Sequence, residues 1–385
     1  MMKESMKRFF QEAKPFFQWI TTVVASVLLL LAALSYELTG DYMGIFKFFR
    51  TIAVVEDHYA GDIDKKALLD GAMKGVVDTL GDKHSTYLTG DEFKMFTEQM
   101  TGSYAGIGVY ISKADEGVFI AGVIDGSPAS EAGLQRGDVI MAIDGQPTAG
   151  MELEDVSLSI RGPENTSVVL TIRRDGADRD MTLIRRNIHM QTAAGEMIEG
   201  TDIGYVRIAL FSEDTGREFT EAYQSLRAQG MKKMILDLRN NPGGLVDQAT
   251  LVASNFVPKN SVVVSYTSSD GQEEQFVADG TDEVIPLVVL VNENSASASE
   301  IVAGDVQDLQ LGPIVGVRTF GKGTVQGVYP VTKDDAVKVT VAKYRTTKGR
   351  EVEGKGIEPD VVVPLQPNDP VDYQLEKGLE LLQKP

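Results

Sequence analysis

Cysteine is missing from these 385 residues, tryptophan occurs once, and histidine only three times. The first absence excludes disulfides, thiol nucleophiles and cysteine-ligated metals, while leaving the redox compartment open. The histidines, His58, His84 and His189, are dispersed. None stands near the serine motif described below, so a Ser-His-Asp triad is the weakest reading of any serine chemistry. Positive charge is scarce as well: 37 Lys and Arg against 56 Asp and Glu give a formal net charge of -19. Phosphate recognition relies on clustered cations that this chain lacks, which argues against a nucleic-acid binder. Internal repeats and low-complexity tracts are absent too. The length exceeds that of a typical single domain, so two or three modules with their own cores are expected.

Long apolar runs are rare, with one exception. Phe16 to Leu34 is diluted only by Gln18, Thr21, Thr22 and Ser26 and is long enough to cross a bilayer as a helix. It follows Lys3, Lys7, Arg8 and Lys14, which favours a cytoplasmic N-terminus and an extracytoplasmic remainder, beyond Tyr36, on a single-pass anchor. A cleaved signal peptide is the rival, since Ala33-Leu34-Ser35 offers small residues before Tyr36. The run is long for a signal core, and the anchor is therefore expected over residues 1–36.

Two segments carry the chemistry. Asn292-Glu293-Asn294-Ser295-Ala296-Ser297-Ala298-Ser299-Glu300 is followed by Gly321-Lys322-Gly323-Thr324, a pairing that can bring a serine and a lysine to one carbonyl. A serine hydroxyl needs a neighbouring base, and a lysine serves once burial leaves it neutral. Ser297 opens an apolar helical pattern (Ile301, Val302, Val306, Leu309), where backbone N–H groups face developing negative charge. A plainer reading competes, because Ser297-x-x-Glu300 is also a capping box and Gly-Lys-Gly also suits a solvated lysine in a turn. A third segment, Asp237-Leu238-Arg239-Asn240-Asn241-Pro242-Gly243-Gly244, follows the apolar run Met234-Ile235-Leu236 and reads as strand, tight turn and helix start. Its glycines let backbone approach a ligand, so the N–H groups of Gly243 and Ala298 are the expected oxyanion donors.

In this order the three segments resemble the carboxyl-terminal processing peptidases, or tail-specific proteases, which use a Ser-Lys dyad. The likeness runs from Gly81-Asp82-Lys83-His84-Ser85-Thr86-Tyr87-Leu88 to Gly356-Ile357-Glu358-Pro359-Asp360. Lys83 departs from the family's usual proline. The resemblance implies Ser297 as nucleophile, Lys322 as base and Gln326 as a residue holding the lysine. It also implies a crotonase-like ββα core, no metal and no organic cofactor, and dimer contacts through the N-terminal helices.

The remaining organisation follows from periodicity. Helices are expected at Gly44 to Tyr59, Asp64 to Leu80 and Asp91 to Met100, forming a helical region over 44–100. Short alternating runs around one helix at Leu153 to Ile160 make residues 101–186 a β-rich module. Tyr104-Ala105-Gly106-Ile107-Gly108-Val109 and Gly133-Leu134-Gln135-Arg136-Gly137-Asp138 resemble PDZ domains. That likeness makes Gly106, Ile107, Gly108 and Val109 the expected cradle for a peptide's terminal carboxylate. Arg161, just past the helix, reads as a solvated helix stop or a charge that senses ligand. From Ile203 strands alternate with helices, an α/β core over 187–365 with its site on loops at strand ends, and a short helical tail fills 366–385. The chain is thus a multidomain α+β protein. Its leading reading is an endopeptidase that captures free C-termini of protein or peptide substrates in the PDZ module and cleaves through an acyl-enzyme. A catalytically idle, membrane-tethered PDZ scaffold and another acyl-transfer enzyme on the same core are the alternatives.

Overall fold

The computed structural model describes residues 2–114, 117–268, 271–364, 369 and 371–383, with backbone alone for 2–13 and 15–17. The expected boundary at 366 and the last two residues of the tail lie outside the described residues. The chain divides into two bodies, residues 1–75 and 76–385.

The first body is helical. Helices Met2–Thr39 and Gly44–His58 are joined by a turn in which Ser35 Oγ donates to the Asp41 carbonyl at 2.7 Å and accepts the Ile45 N–H at 3.2 Å. Helix Lys65–Asp78 begins in this body. The segment Gln18–Thr39 is long and apolar enough to cross a membrane, and 6% of its most apolar window is buried. Leu28 to Leu31 point outward. Each exposed Å² of such surface costs about 25 cal/mol in water, and an anchor helix and a signal sequence share this length and composition.

The second body is built on two larger sheets and a β-rich module. In the first sheet the strands run Ala193–Met197, Ile203–Ile208, Lys233–Asp237, Leu287–Val291, Ile314–Gly316 and Val361–Val362. The first pair is antiparallel and the others are parallel. Leu287–Val291 is buried at every position, as a strand covered on both faces must be. Helices Thr215–Ala228, Val246–Ala253 and Ala298–Asp308 cover one face through Phe219, Val252, Ile301 and Val302. The C-terminal helix Tyr373–Gln383 covers part of the other face, with Leu382 against Ile235, Val288 and Leu290. The second sheet is antiparallel: Thr86–Leu88 pairs with Ala336–Arg345, which also pairs with Thr324–Pro330 and Val262–Ser268, and Glu273–Val277 closes the edge.

The β-rich module is a five-strand path, Val109–Ala114, Gly117–Val123, Val139–Ile143, Ser167–Arg174 and Ala177–Ile184, closed by helix Leu153–Ile160 over a core of Ile107, Ile120, Val156 and Leu170. A separate pair of strands, Ser103–Gly106 and Arg186–His189, ties its two ends together. The strand Arg186–His189 therefore crosses the expected boundary at 186. The helix start expected after the Gly243-Gly244 turn is that of helix Val246–Ala253. The strands Ala193–Met197, Thr324–Pro330 and Ala336–Arg345 lack a sequence counterpart above.

Candidate active site

Ser297 stands between the buried strand Leu287–Val291 and helix Ala298–Asp308, with φ 54° and ψ -114°. A non-glycine residue in this region costs on the order of 1–3 kcal/mol, so it persists only where surrounding bonds hold it. They do. Ser295 Oγ donates to the Leu238 carbonyl at 2.8 Å, and Ser299 Oγ to the Asn241 carbonyl at 3.0 Å. The Ala296 N–H donates to the same Asn241 carbonyl at 3.0 Å. The serine-rich run is thereby sewn to the Asn-Asn-Pro-Gly-Gly turn at the end of the adjacent parallel strand.

Glu300 gives the spacing Ser-x-x-Glu a further purpose. Its carboxylate is fully buried and accepts the Ser297 N–H at 2.8 Å, as a capping glutamate would. It also accepts the Lys322 N–H at 2.8 Å, the Gly321 N–H at 2.7 Å and the Thr319 hydroxyl. One side chain thus clamps the Ser297 backbone to that of Lys322. Burial raises its pKa, and these four donors oppose the rise. The Tyr344 hydroxyl repeats the clamp, donating to the Lys322 carbonyl at 2.8 Å and the Ser297 carbonyl at 3.2 Å. Neither Glu300 nor Tyr344 was singled out by sequence as part of the site. The signal for Glu300 was present and read as a cap.

Lys322 is half-buried at the turn leading into strand Thr324–Pro330, not solvated as the Gly-Lys-Gly reading allowed. Burial lowers its pKa first and the charge of Lys338 second, against the carboxylates of Glu353, Glu300 and Asp82. Among the described residues none forms a hydrogen bond or ion pair with its Nζ, neither Ser297 Oγ nor Gln326. The Gln326 amide instead donates to Thr324 Oγ1 at 2.8 Å and lies 3.5 Å from Thr340 Oγ1. The holding role implied for Gln326 is thus not formed in this geometry, because the amide is drawn along its own strand.

The two expected oxyanion donors fare differently. Ala298 is the first residue of its helix, where backbone N–H groups have no intrahelical partner. Gly243 has φ +99°, and a methyl group built on it would lie 2.6 Å from the Ala296 carbonyl oxygen, 2.7 Å from Ser297 Cβ and 2.9 Å from the Ala298 nitrogen. Only glycine fits there. Its N–H, however, donates to Asn241 Oδ1 at 2.9 Å, a local bond that asparagine makes readily in turns. As it stands, one of the two donors is occupied.

In the β-rich module, Ile107, Gly108 and Val109 line a small cleft completed by Tyr104, Ile111, Ser157, Ile160 and Arg161, whereas Gly106, buried at the end of strand Ser103–Gly106, is not among its lining residues. Gly108 has φ +80°. Arg161 is not a solvated stop: it pairs with Glu98 at 3.0 Å and stacks on Tyr104 at 4.5 Å from the ring centroid. A cavity of about 840 Å³ lies elsewhere, beside Arg239 and Asp372. It touches neither Ser297 nor Lys322, and Arg239, Asp237 and Asp372 within it already pair with one another.

Comparison with known proteins bears on these sites. Peptidase family S41 matches residues 202–363, a PDZ domain 119–174, and the activating protease CtpB N-terminal domain 35–92. Carboxy-terminal processing protease CtpA of Bacillus subtilis (strain 168) is 36% identical over 373 residues, 94% of this chain and 78% of that protein. The chain belongs to peptidase family S41, as a carboxy-terminal processing protease. The family's probable CtpA-like serine protease from Staphylococcus aureus (strain N315) is 32% identical over 354 residues, 89% of this chain and 71% of that one. A solved structure assigned to the S41 proteases, from Bacteroides fragilis NCTC 9343, superposes with a TM-score of 0.54 at 17% identity over 84% of this chain and 98% of that one, which speaks for the fold alone. This S41 chain is therefore a serine-type peptidase with a PDZ domain, and the idle-scaffold alternative falls away.

Proposed function

We propose that Ser297 and Lys322 form the catalytic dyad of an endopeptidase that selects substrates by their free C-termini. Neutral Lys322 takes the Ser297 Oγ proton as Oγ attacks the scissile carbonyl carbon. The oxyanion is met by the Ala298 N–H and, once Asn241 releases it, the Gly243 N–H. The leaving amine departs with a proton, and water then releases the acyl group. The observation carrying this reading is the shared Glu300 carboxylate, which holds the Ser297 and Lys322 N–H groups on one side chain. The lowered lysine pKa supports it.

In the same reading the substrate's terminal carboxylate enters the cleft at Ile107 to Val109 and meets the Arg161 guanidinium. The apolar N-terminal helix anchors the enzyme with its catalytic part outside the cytoplasm. Protein C-termini are the ligands, and a homodimer through the N-terminal helices is part of the proposal. The test is degradation of an unfolded protein by wild type, Ser297→Ala and Lys322→Ala. Each variant should lose essentially all turnover while keeping the wild-type melting profile, since a dyad acts as a unit. Substantial cleavage by Ser297→Ala would sink the assignment.

A further inference from the structure

The segment Gly81 to Leu88 has no part in the reaction as described, yet the fold lays it beside the base. Strand Thr86–Leu88 pairs with Ala336–Arg345, and the Thr340 N–H donates to Ser85 Oγ at 3.0 Å. Ser85 Oγ in turn donates to Asp82, whose carboxylate also accepts the His84 N–H at 3.1 Å. Lys83 Nζ sits over the Phe320 ring, 5.8 Å from its centroid, so the turn at 82–84 rests on the turn that carries Lys322. His84 Nε2 is buried and has no hydrogen-bond partner. A buried polar atom left unpaired costs about 1–3 kcal/mol, so it asks for an explanation. The Glu353 carboxylate lies 3.8 Å from this nitrogen, and its other oxygen accepts the Gly323 N–H, next to Lys322, at 2.8 Å.

We infer that His84 is a positioning residue for Lys322: its Nε2 and the Glu353 carboxylate together receive the N–H bonds of the ammonium formed when the lysine takes the serine proton. This rests on the dyad reading above. The need is chemical. Proton transfer from Ser297 Oγ to the Nζ lone pair creates a cation with three N–H donors in a half-buried place, with Lys338 nearby and no counterion in contact. His84 can accept only when neutral. Burial, then the charges of Lys322 and Lys83, lower its pKa, while Glu353 and Asp82 oppose that shift, so the imidazole keeps a lone pair across neutral pH. With the Nδ1–H tautomer that lone pair is on Nε2.

The experiment measures the rate at which a fluorophosphonate probe labels Ser297, against pH, together with kcat and KM for a peptide. Wild type, His84→Phe, His84→Gln, Glu353→Gln and Lys322→Ala are compared. Phe keeps the ring and removes the acceptor. Its kcat should fall on the order of tenfold at unchanged KM, less than the roughly 10²–10⁴-fold a base itself supplies. Its pH midpoint should move to lower pH, because the ammonium has lost a partner. Gln supplies an acceptor and should bring the midpoint back towards wild type. Glu353→Gln keeps the shape near Gly323 and should move the midpoint the same way as Phe, which tests the idea even if His84→Phe does not fold. A folded His84→Phe with wild-type kcat and midpoint, or an unmoved midpoint in Glu353→Gln, overturns the inference. Lys322→Ala that labels at the wild-type rate overturns the dyad as well, and so separates the two failures.

Discussion

The two halves of the active site are built in opposite ways. On the Ser297 side the polar groups are buried and engaged: Glu300 accepts four bonds, Asn241 is used through its backbone carbonyl and both side-chain polar atoms, and Ser295 and Ser299 are tied down. On the Lys322 side there are fewer bonds: among the described residues Lys322 Nζ and His84 Nε2 have no hydrogen-bond partner, and the Glu353 side chain, 32% exposed, accepts only the Gly323 N–H. A strained nucleophile has to be over-determined to persist. Under the proposed dyad, Lys322 must gain and lose a proton, and its lone pair is left uncommitted. The first half stores geometry, and the second keeps capacity for charge.

Breaking the first half should be the more damaging. Gly243→Ala places a methyl group within 3 Å of three atoms of the serine turn, at a positive φ that alanine avoids. We expect a fall in kcat of roughly 10³-fold, the scale of a lost oxyanion donor, with a lower melting temperature. Near-normal kcat would show that the 243–244 turn takes no part. Glu300→Gln comes next. It turns a donor against N–H groups that now share a carboxylate, so we expect destabilisation of about 3 kcal/mol and a kcat loss on the order of 10²-fold from misplacement. Urea unfolding and single-turnover cleavage measure both, and an unchanged unfolding midpoint would refute the clamp.

The second half predicts a gain. Because Lys322 has a lowered folded pKa, its charged form is disfavoured in the fold, and the protein is penalised at any pH where the lysine is protonated. Stability should rise as pH climbs from the folded pKa towards the unfolded value of 10.5, where the penalty ends. Lys322→Met should therefore be inactive yet more stable than wild type at neutral pH, with the advantage shrinking in alkali. A Met variant that is less stable at pH 7 would mean the lysine is well solvated. The smallest effect concerns the PDZ cleft. Arg161→Gln removes a partly exposed pair with Glu98, for which we expect a change of about 0–1 kcal/mol. Its preference for free-acid over C-terminally amidated substrate should narrow, and an undiminished preference would free Arg161 of end recognition.

How much of this was legible follows the same division. The strand Lys233–Asp237 was readable because its central run Met234-Ile235-Leu236 is apolar towards both faces. Ala336–Arg345 was not read, although Val337-Lys338-Val339-Thr340-Val341 alternates as a strand does and Ala342 to Arg345 alternates between buried and exposed. Ser297, Lys322 and the 243–244 turn could be named from residue types. That Glu300 reaches across to a second turn, or that Asn241 takes the Gly243 N–H, depends on three-dimensional neighbours that spacing does not encode. His84 illustrates the limit: set aside because no serine motif lay nearby in sequence, it is brought to the lysine by strand pairing.

The tie between Ser85 and Thr340 joins residues 255 apart in sequence. Contacts of such separation form late, because the loop they close carries a large entropy cost. The surroundings of Lys322 require the early segment at 81–88 to meet strand Ala336–Arg345. Under the proposed dyad, a chain in which that pairing has not formed holds Ser297 without the surroundings of Lys322. Cleavage then waits on one long-range meeting of strands.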